Sequence, residues 1–190
     1  MCLFDTIGLI KYLMAIKRWV EVSREPVIEK YGRKVDKVIF KLQNGSKSDF
    51  YIADQNNRYA VVLALTFDNK VILVKQFRPG PQKVLLDLPG GAVDKSETPL
   101  DAIKRELLEE SGYAGDFQFI TESVFNAYSG AVCYHFIARN CRKIQEIIND
   151  ETEFTEDKLI KLTDFRKQLR SGQVCDFGTA YLGLDYLHLL

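Results

Sequence analysis

The chain has 190 residues and is poor in several things at once. It holds only four cysteines, Cys2, Cys133, Cys141 and Cys175, and no two of them form a CxxC pair. Its two histidines, His135 and His188, stand at no zinc spacing from them. A disulfide-built miniprotein is therefore excluded, and the thiols are expected to be free in a reducing compartment, with a pairing of Cys133 and Cys141 in space left open. Net charge is missing too: 26 Lys and Arg balance 26 Asp and Glu. No global basic bias points to a nucleic-acid partner. No run approaches the roughly 18 apolar residues of a membrane span, and the N-terminus lacks the basic start and small-residue cleavage site of a signal peptide. Repeats and low-complexity segments are absent. A cytoplasmic protein with neither nucleic-acid nor membrane partners is expected.

What is present is ordinary for a globular protein, with 46% hydrophobic and 27% charged residues. The length suits one domain with a small appendage. Residues 1–16 (MCLFDTIGLIKYLMAI) carry Leu3, Ile7, Ile10 and Met14 at helical spacing. An amphipathic helix packed on the body or on a partner subunit is expected there. Strands are expected over residues 19–22, 37–42 and 48–52, with Asn44-Gly45 as a turn signal. Residues 59–67 and 71–77 are rich in Val, Ile, Leu and aromatics, with Asp68-Asn69 between them as a hairpin turn. A short strand over 84–88 runs into Pro89-Gly90-Gly91. Further strands are expected over 116–124 and 132–139, and closing helices over 162–169 and 180–189. Strands outnumber helices and βαβ alternation is missing. The fold class is α+β with a mixed sheet and flanking helices, an α/β/α sandwich.

One helix stands out. Residues 98–111 place Leu100, Ile103 and Leu107 on one face, Glu97, Thr98 and Pro99 suit its start, and Gly112 suits its stop. Glu106, Glu109 and Glu110 sit at i, i+3 and i+4, so they share a face beside the apolar stripe. Like charges at this spacing cost a few tenths of a kcal/mol per pair. Clustered carboxylate oxygens are what Mg²⁺ or Mn²⁺ bind, with waters and substrate phosphates completing the shell. An acidic, solvated helix face without a metal is the plain alternative for the cluster alone.

The spacing decides between them. Residues 91–113 (GAVDKSETPLDAIKRELLEESGY) fit G-x5-E-x7-R-E-U-x-E-E-x-G-U, where U is apolar: Gly91, Glu97, Arg105, Glu106, Leu107, Glu109, Glu110, Gly112 and Tyr113. Seven fixed residues at ordinary abundance match by chance in on the order of one chain in a million. This segment resembles the signature box of the Nudix hydrolases. The resemblance implies a mixed-sheet fold with the box as loop, helix and loop. It also implies Mg²⁺- or Mn²⁺-dependent cleavage of a nucleoside diphosphate linked to another moiety. By the same resemblance, Glu106, Glu109 and Glu110 are the metal ligands, joined by the carbonyl of Gly90, and Arg105 with Glu97 braces helix and loop.

The likeness extends over about residues 19–185. The segments ILVKQFRP (72–79) and LDLPGG (86–91) are similar to the ADP-ribose and nucleotide-sugar pyrophosphatase branch. That branch implies an N-terminal strand layer over residues 19–57 that serves dimerisation, after an extension over 1–18 and before a catalytic domain over 58–190. It implies a homodimer, and substrate contacts at Trp19, Arg78, Gly91 and Tyr128. Trp19 has the π-face to stack on adenine or else is plain core, and Arg78 suits a bidentate phosphate clamp or a surface ion pair. The acidic run 146–157 implies a late-loop glutamate that prepares the attacking water: Glu153 first, Glu151 second, beside Glu110 and Arg105 in the catalytic set. One departure stands out: Tyr128-Ser129-Gly130 occupies the place where the branch commonly has Ser-Pro-Gly. A dinucleoside polyphosphate therefore stays open as substrate, and a non-catalytic ligand sensor is the rival reading.

Overall fold

The computed structural model describes residues 16–30, 32–147, 149 and 154–190. The expected N-terminal helix lies outside them apart from Ile16, as do Cys2, Glu151 and Glu153. The chain divides into two compact units, the first ending at Gln55 and the second starting at Asn56.

The first unit is a three-stranded antiparallel sheet, β1 (Val20–Lys30), β2 (Arg33–Lys41) and β3 (Lys47–Ala53). Its β2–β3 turn uses Gly45 at φ 87°, which a glycine adopts at no steric cost, and Asn44 Oδ1 accepts from the Ser46 N–H at 3.0 Å. β1 runs well beyond the expected residues 19–22 and is exposed along its whole length. Asp36 on β2 is buried, and Arg24 Nη1 donates to it at 2.9 Å, which holds its carboxyl below the usual range.

The second unit is a seven-stranded sheet with three helices. Its main path runs β10 (Thr155–Lys161), β5 (Lys70–Arg78), β4 (Arg58–Thr66), β9 (Val132–Lys143) and β8 (Tyr113–Val124). β6 (Lys83–Asp87) pairs with β5, and β7 (Gly90–Ala92) pairs with β4. β4 and β9 are parallel while the other pairings are antiparallel, so the sheet is mixed as expected. The helices are α1 (Pro99–Ser111), α2 (Leu162–Ser171) and α3 (Phe177–Tyr186).

The period of two explains the layers. On β4 and β5 the odd positions Val61, Leu63, Leu65, Val71 and Leu73 pack with Phe165, Leu169, Ala180 and Leu184 of α2 and α3. The even positions Ala60, Val62, Ala64 and Ile72 pack with Ala102, Ile103 and Leu107 of α1. Both faces are buried, which is why these strands read as continuous apolar runs instead of alternating ones. Leu100, expected on the apolar face of α1, sits in its first turn and is partly exposed; Ala102 takes its place in the core. Cys133 and Cys141 are both buried and free. They lie eight residues apart on β9, roughly 26 Å along an extended strand, which no disulfide spans. Among the described residues no helix is long and apolar enough to cross a membrane.

Candidate active site

The site is built where β7 meets α1. Thr98 caps the helix: its side-chain oxygen accepts from the Asp101 N–H at 3.1 Å, and Pro99 supplies a pre-set first turn. Gly112 ends the helix in the left-handed conformation at φ 78°, its N–H donating to the Leu108 carbonyl at 2.8 Å. A Cβ there would lie 2.1 Å from the Gln145 carbonyl oxygen, so glycine is required twice over. At the other end β7 is pinned to β4 by the Tyr59–Ala92, Ala60–Gly91 and Val61–Gly90 pairs. The helix is therefore fixed at both ends against the sheet.

Arg105 ties the loop to the helix. Its Nη2 donates to Glu97 Oε1 at 2.8 Å and to the Ala92 carbonyl at 3.2 Å. Its Nη1 donates to Glu106 Oε1 at 2.8 Å and to Glu109 Oε2 at 3.1 Å. Glu97 in turn accepts from the Asp94 N–H at 2.9 Å. The Arg105 hydrogen bond, followed by that from Asp94, holds the Glu97 carboxyl below its usual range, and Glu97 first, then Glu106 and Glu109, raise Arg105. One guanidinium thus offsets the repulsion between box carboxylates that the sequence implies.

The three helix glutamates do not share one environment. Glu110 is buried, and its Oε2 accepts from the Gly90 N–H at 2.9 Å. The Glu106 side chain is only 15% exposed, while that of Glu109 is 54% exposed and turned to Arg105. Glu106 lies against Gly91: a Cβ built on that glycine would meet Glu106 Oε1 at 2.4 Å. Gly91 is thus needed for close approach. Among the described residues no three His, Cys, Asp or Glu side chains form a ready-made metal-holding group. The chemistry of the set still fits a hard cation: carboxylate oxygens of Glu106 and Glu110 converge on the Gly90–Gly91 backbone, with Glu109 one turn away.

Arg78 enters from the sheet. Val74, Gln76 and Arg78 share one face of β5, and Asp87, opposite Val74, projects to that face too. It is the face on which Ile72 packs under α1. Arg78 Nε donates to Asp87 Oδ2 at 2.6 Å, and Asp87 is fully buried. Burial works against the charge on Arg78; Asp87, Asp176 and Glu110 outweigh it, so the guanidinium ends above its ordinary range. Arg78 therefore senses the box glutamate electrostatically.

The remaining expected residues fall elsewhere. Tyr128 is exposed in the β8–β9 loop, where its N–H donates to Asn126 Oδ1 at 2.8 Å. Trp19, in the first unit, is 41% exposed, with its ring 5.3 Å from Phe50 and 6.2 Å from Phe40. Within the acidic run the chain is pinned beside α1. Thr155 Oγ1 donates to the Glu110 carbonyl at 3.3 Å, and Asn149 Oδ1 accepts from the Thr155 N–H at 2.8 Å.

With this geometry in place, comparison with known proteins is informative. Residues 56–174 match the NUDIX domain family model. The chain belongs to that family. It is 31% identical to the ADP-ribose pyrophosphatase of Bacillus subtilis (strain 168) over 173 residues, which cover 88% of this chain and 91% of that protein. It is 28% identical to the GDP-mannose pyrophosphatase of Yersinia enterocolitica over 193 residues, covering 93% and 97% respectively. A crystal structure of an ADP compounds hydrolase superposes with a TM-score of 0.76 at 18% identity, covering 92% of this chain and 97% of that one. This last likeness speaks to the Nudix fold.

Two residues around Arg78 escaped the sequence reading: Asp87 and Asp176. Asp87 sits in the LDLPGG segment already singled out, yet an Asp in a strand carries no pattern of its own. Asp176 stands at the N-cap of α3 but makes no side-chain capping bond there. Burial first, then the Asp87 charge, pushes its carboxyl up to about 6, against the pull of Arg78 and the Leu88 N–H.

Proposed function

We propose that this Nudix protein is a divalent-cation-dependent pyrophosphatase that hydrolyses the diphosphate of ADP-ribose or a related nucleoside diphosphate sugar. The observation that carries the reading is the convergence of Glu106 and Glu110 on the Gly90–Gly91 backbone, with Arg78 on the same face of the sheet. The pyrophosphatase relatives that align over nearly the whole chain support it.

Glu106, Glu110 and the Gly90 carbonyl would hold the cation, Mg²⁺ or Mn²⁺, and Glu109 would join them on leaving Arg105. When bound, it supplies positive charge against the diphosphate and makes a nearby water more acidic. The chain's own groups do the rest. Arg105 keeps loop and helix in register, so that the carboxylates are pre-placed. Arg78 offers a planar cation to a phosphate. Gly91, without a side chain, lets Glu106 and substrate approach the backbone. Glu153 or Glu151 takes a proton from the attacking water. The water oxygen bonds to one phosphorus, a P–O–P bond breaks, and the products are a nucleoside monophosphate and a sugar phosphate. The exposed Trp19 indole offers a stacking surface to the base and Tyr128 a second aromatic contact.

The same reading makes the protein a cytoplasmic homodimer that pairs through residues 19–57. Its buried thiols are free, Cys133 pushed up to about 11 and Cys141 to about 12, both chiefly by burial. Val20, Val22, Val27 and Ile28 are exposed on the long edge strand β1, a surface that invites a partner.

The test is a panel of ADP-ribose, UDP-glucose, GDP-mannose and diadenosine polyphosphates with Mg²⁺, read by nucleoside monophosphate release. Release from a nucleoside diphosphate sugar is expected. Glu110→Gln should lower kcat/KM at least about 100-fold, the scale of one lost charge-stabilising group. No release from any member would leave the ligand-sensor reading in its place.

A further inference from the structure

Arg78 is held by more acid than one surface ion pair requires. Asp87 is completely buried; the Arg78 Nε–H donates to its Oδ2, the Cys175 thiol interacts with the same carboxylate, and Oδ1 lacks a full-geometry hydrogen bond from a described residue. A fully buried carboxylate oxygen without a partner is costly and calls for a reason. Asp176 provides the second anomaly. An aspartate at a helix N-cap ordinarily accepts from its own helix. This one makes no capping bond, and the Leu88 N–H favours its charged form while Arg78 and Asp87 lie within electrostatic reach. Two carboxylates, one from strand β6 of the sheet and one from the N-terminus of α3, therefore bear on a single guanidinium. Desolvation first, then the charge of Asp87 and a hydrogen bond to it, push the thiol of Cys175, the neighbour of Asp176, up to about 11.

The geometry says what such an arrangement can do. Asp87 engages Nε, the inner edge of the guanidinium. No bond to either terminal amino group is recorded among the described residues. Those two groups are the ones that form a fork on a phosphate. An arginine on a flexible stem loses rotamer entropy when it binds, and fixing it beforehand lessens that loss.

We propose that Asp87 and Asp176 are the positioning residues of Arg78, orienting its terminal amino groups toward the diphosphate of the substrate. This rests on the pyrophosphatase reading above. Neither aspartate touches the substrate. Asp87 fixes the guanidinium at Nε, and Asp176 holds it from the α3 side. The cost of burying Asp87, with the half-buried Asp176 beside it, is borne at this place because the cation they hold is used.

A double-mutant cycle tests this. Asp176→Asn, Arg78→Ala and the pair are compared with the wild type for ADP-ribose cleavage with Mg²⁺, and for ADP-ribose affinity by calorimetry in EDTA. Melting temperatures are read in parallel. Asp176→Asn should raise KM about fivefold, the scale of coupling between groups that share a partner, with kcat within twofold. In the Arg78→Ala background the same change should raise KM no further, and Asp176→Glu should recover most of the loss. The more buried Asp87→Asn should repeat the pattern if it folds. Additive losses, or an Asp176→Asn effect on kcat alone, overturn the inference and leave the pyrophosphatase reading standing. A wild type that neither cleaves nor binds ADP-ribose overturns both.

Discussion

Two arginines frame the site and are held in opposite ways. Arg105 is saturated: Glu97, Glu106, Glu109 and the Ala92 carbonyl occupy its donors. Arg78 commits one edge to Asp87 and keeps its fork. Their side chains are about equally exposed, at 35% and 37%. Exposure thus does not separate them, and donor occupancy does. A guanidinium whose donors are filled holds the scaffold together, whereas one gripped from behind keeps donors for a ligand. The lesson extends to the acids. Glu97 is held below its usual range by Arg105, so it stabilises the fold while ionised; Asp176 is raised, so its charge opposes folding.

The sharpest way to break the comparison is Arg105→Ala. It releases Glu97 in the loop and Glu106 and Glu109 on the helix, and kcat/KM should fall together with stability. Discounted for partial exposure, about 2 kcal/mol should be lost, a drop of roughly 4–8 °C in melting temperature by calorimetry. Arg105→Lys should recover little, because an ammonium cannot fork to loop and helix at once.

Next comes Asp176→Asn, whose effect on stability has the opposite sign. A carboxyl at about 6 in the fold and at 3.8 when free binds its proton more tightly folded. Its ionisation therefore opposes folding, fully above about pH 6 and less and less as pH falls toward 3.8. The variant should melt several degrees above wild type at pH 7.5, with an upper limit of roughly 3 kcal/mol, and the gain should shrink by about half at pH 5. A gain independent of pH would refute the charge argument.

Arg78→Lys should leave melting within about 2 °C and raise KM roughly tenfold, since the charge remains and the fork is lost. The smallest effect is expected at Glu109, whose exposed pair with Arg105 is worth under about 0.5 kcal/mol. Glu109→Gln should cost less activity than Glu106→Gln or Glu110→Gln in steady-state kinetics. Equal losses would show that Glu109 leaves Arg105 to work beside the other two.

What could be read from the sequence follows the range of the interactions. The box helix was legible to within a residue because Thr98, Pro99 and Gly112 punctuate it locally. The apolar strands β4 and β5 were legible because burial on both faces leaves unbroken runs. β10 was missed: Glu156, Asp157 and Lys158 mask its alternation, and it exists by pairing with β5 far earlier in the chain. Only the start of β1, Val20 to Val22, was caught and the rest was not, since an exposed strand keeps no apolar pattern. In the site, the spacing of the glutamates showed their shared helix but not that Arg105 draws Glu109 away. The meeting of Asp87 with Asp176 has no local signal at all, because it is made by tertiary packing.

The central claim is that Glu106 and Glu110 hold a divalent cation on which cleavage depends. It is tested most directly by titrating EDTA-stripped protein with Mn²⁺, following free Mn²⁺ by electron paramagnetic resonance and AMP release from ADP-ribose in the same samples. Activity should be absent without metal and rise with occupancy, and Glu106→Gln/Glu110→Gln should lose both together. Cleavage that persists in stripped protein, or Mn²⁺ binding unchanged in the double variant, would contradict the account.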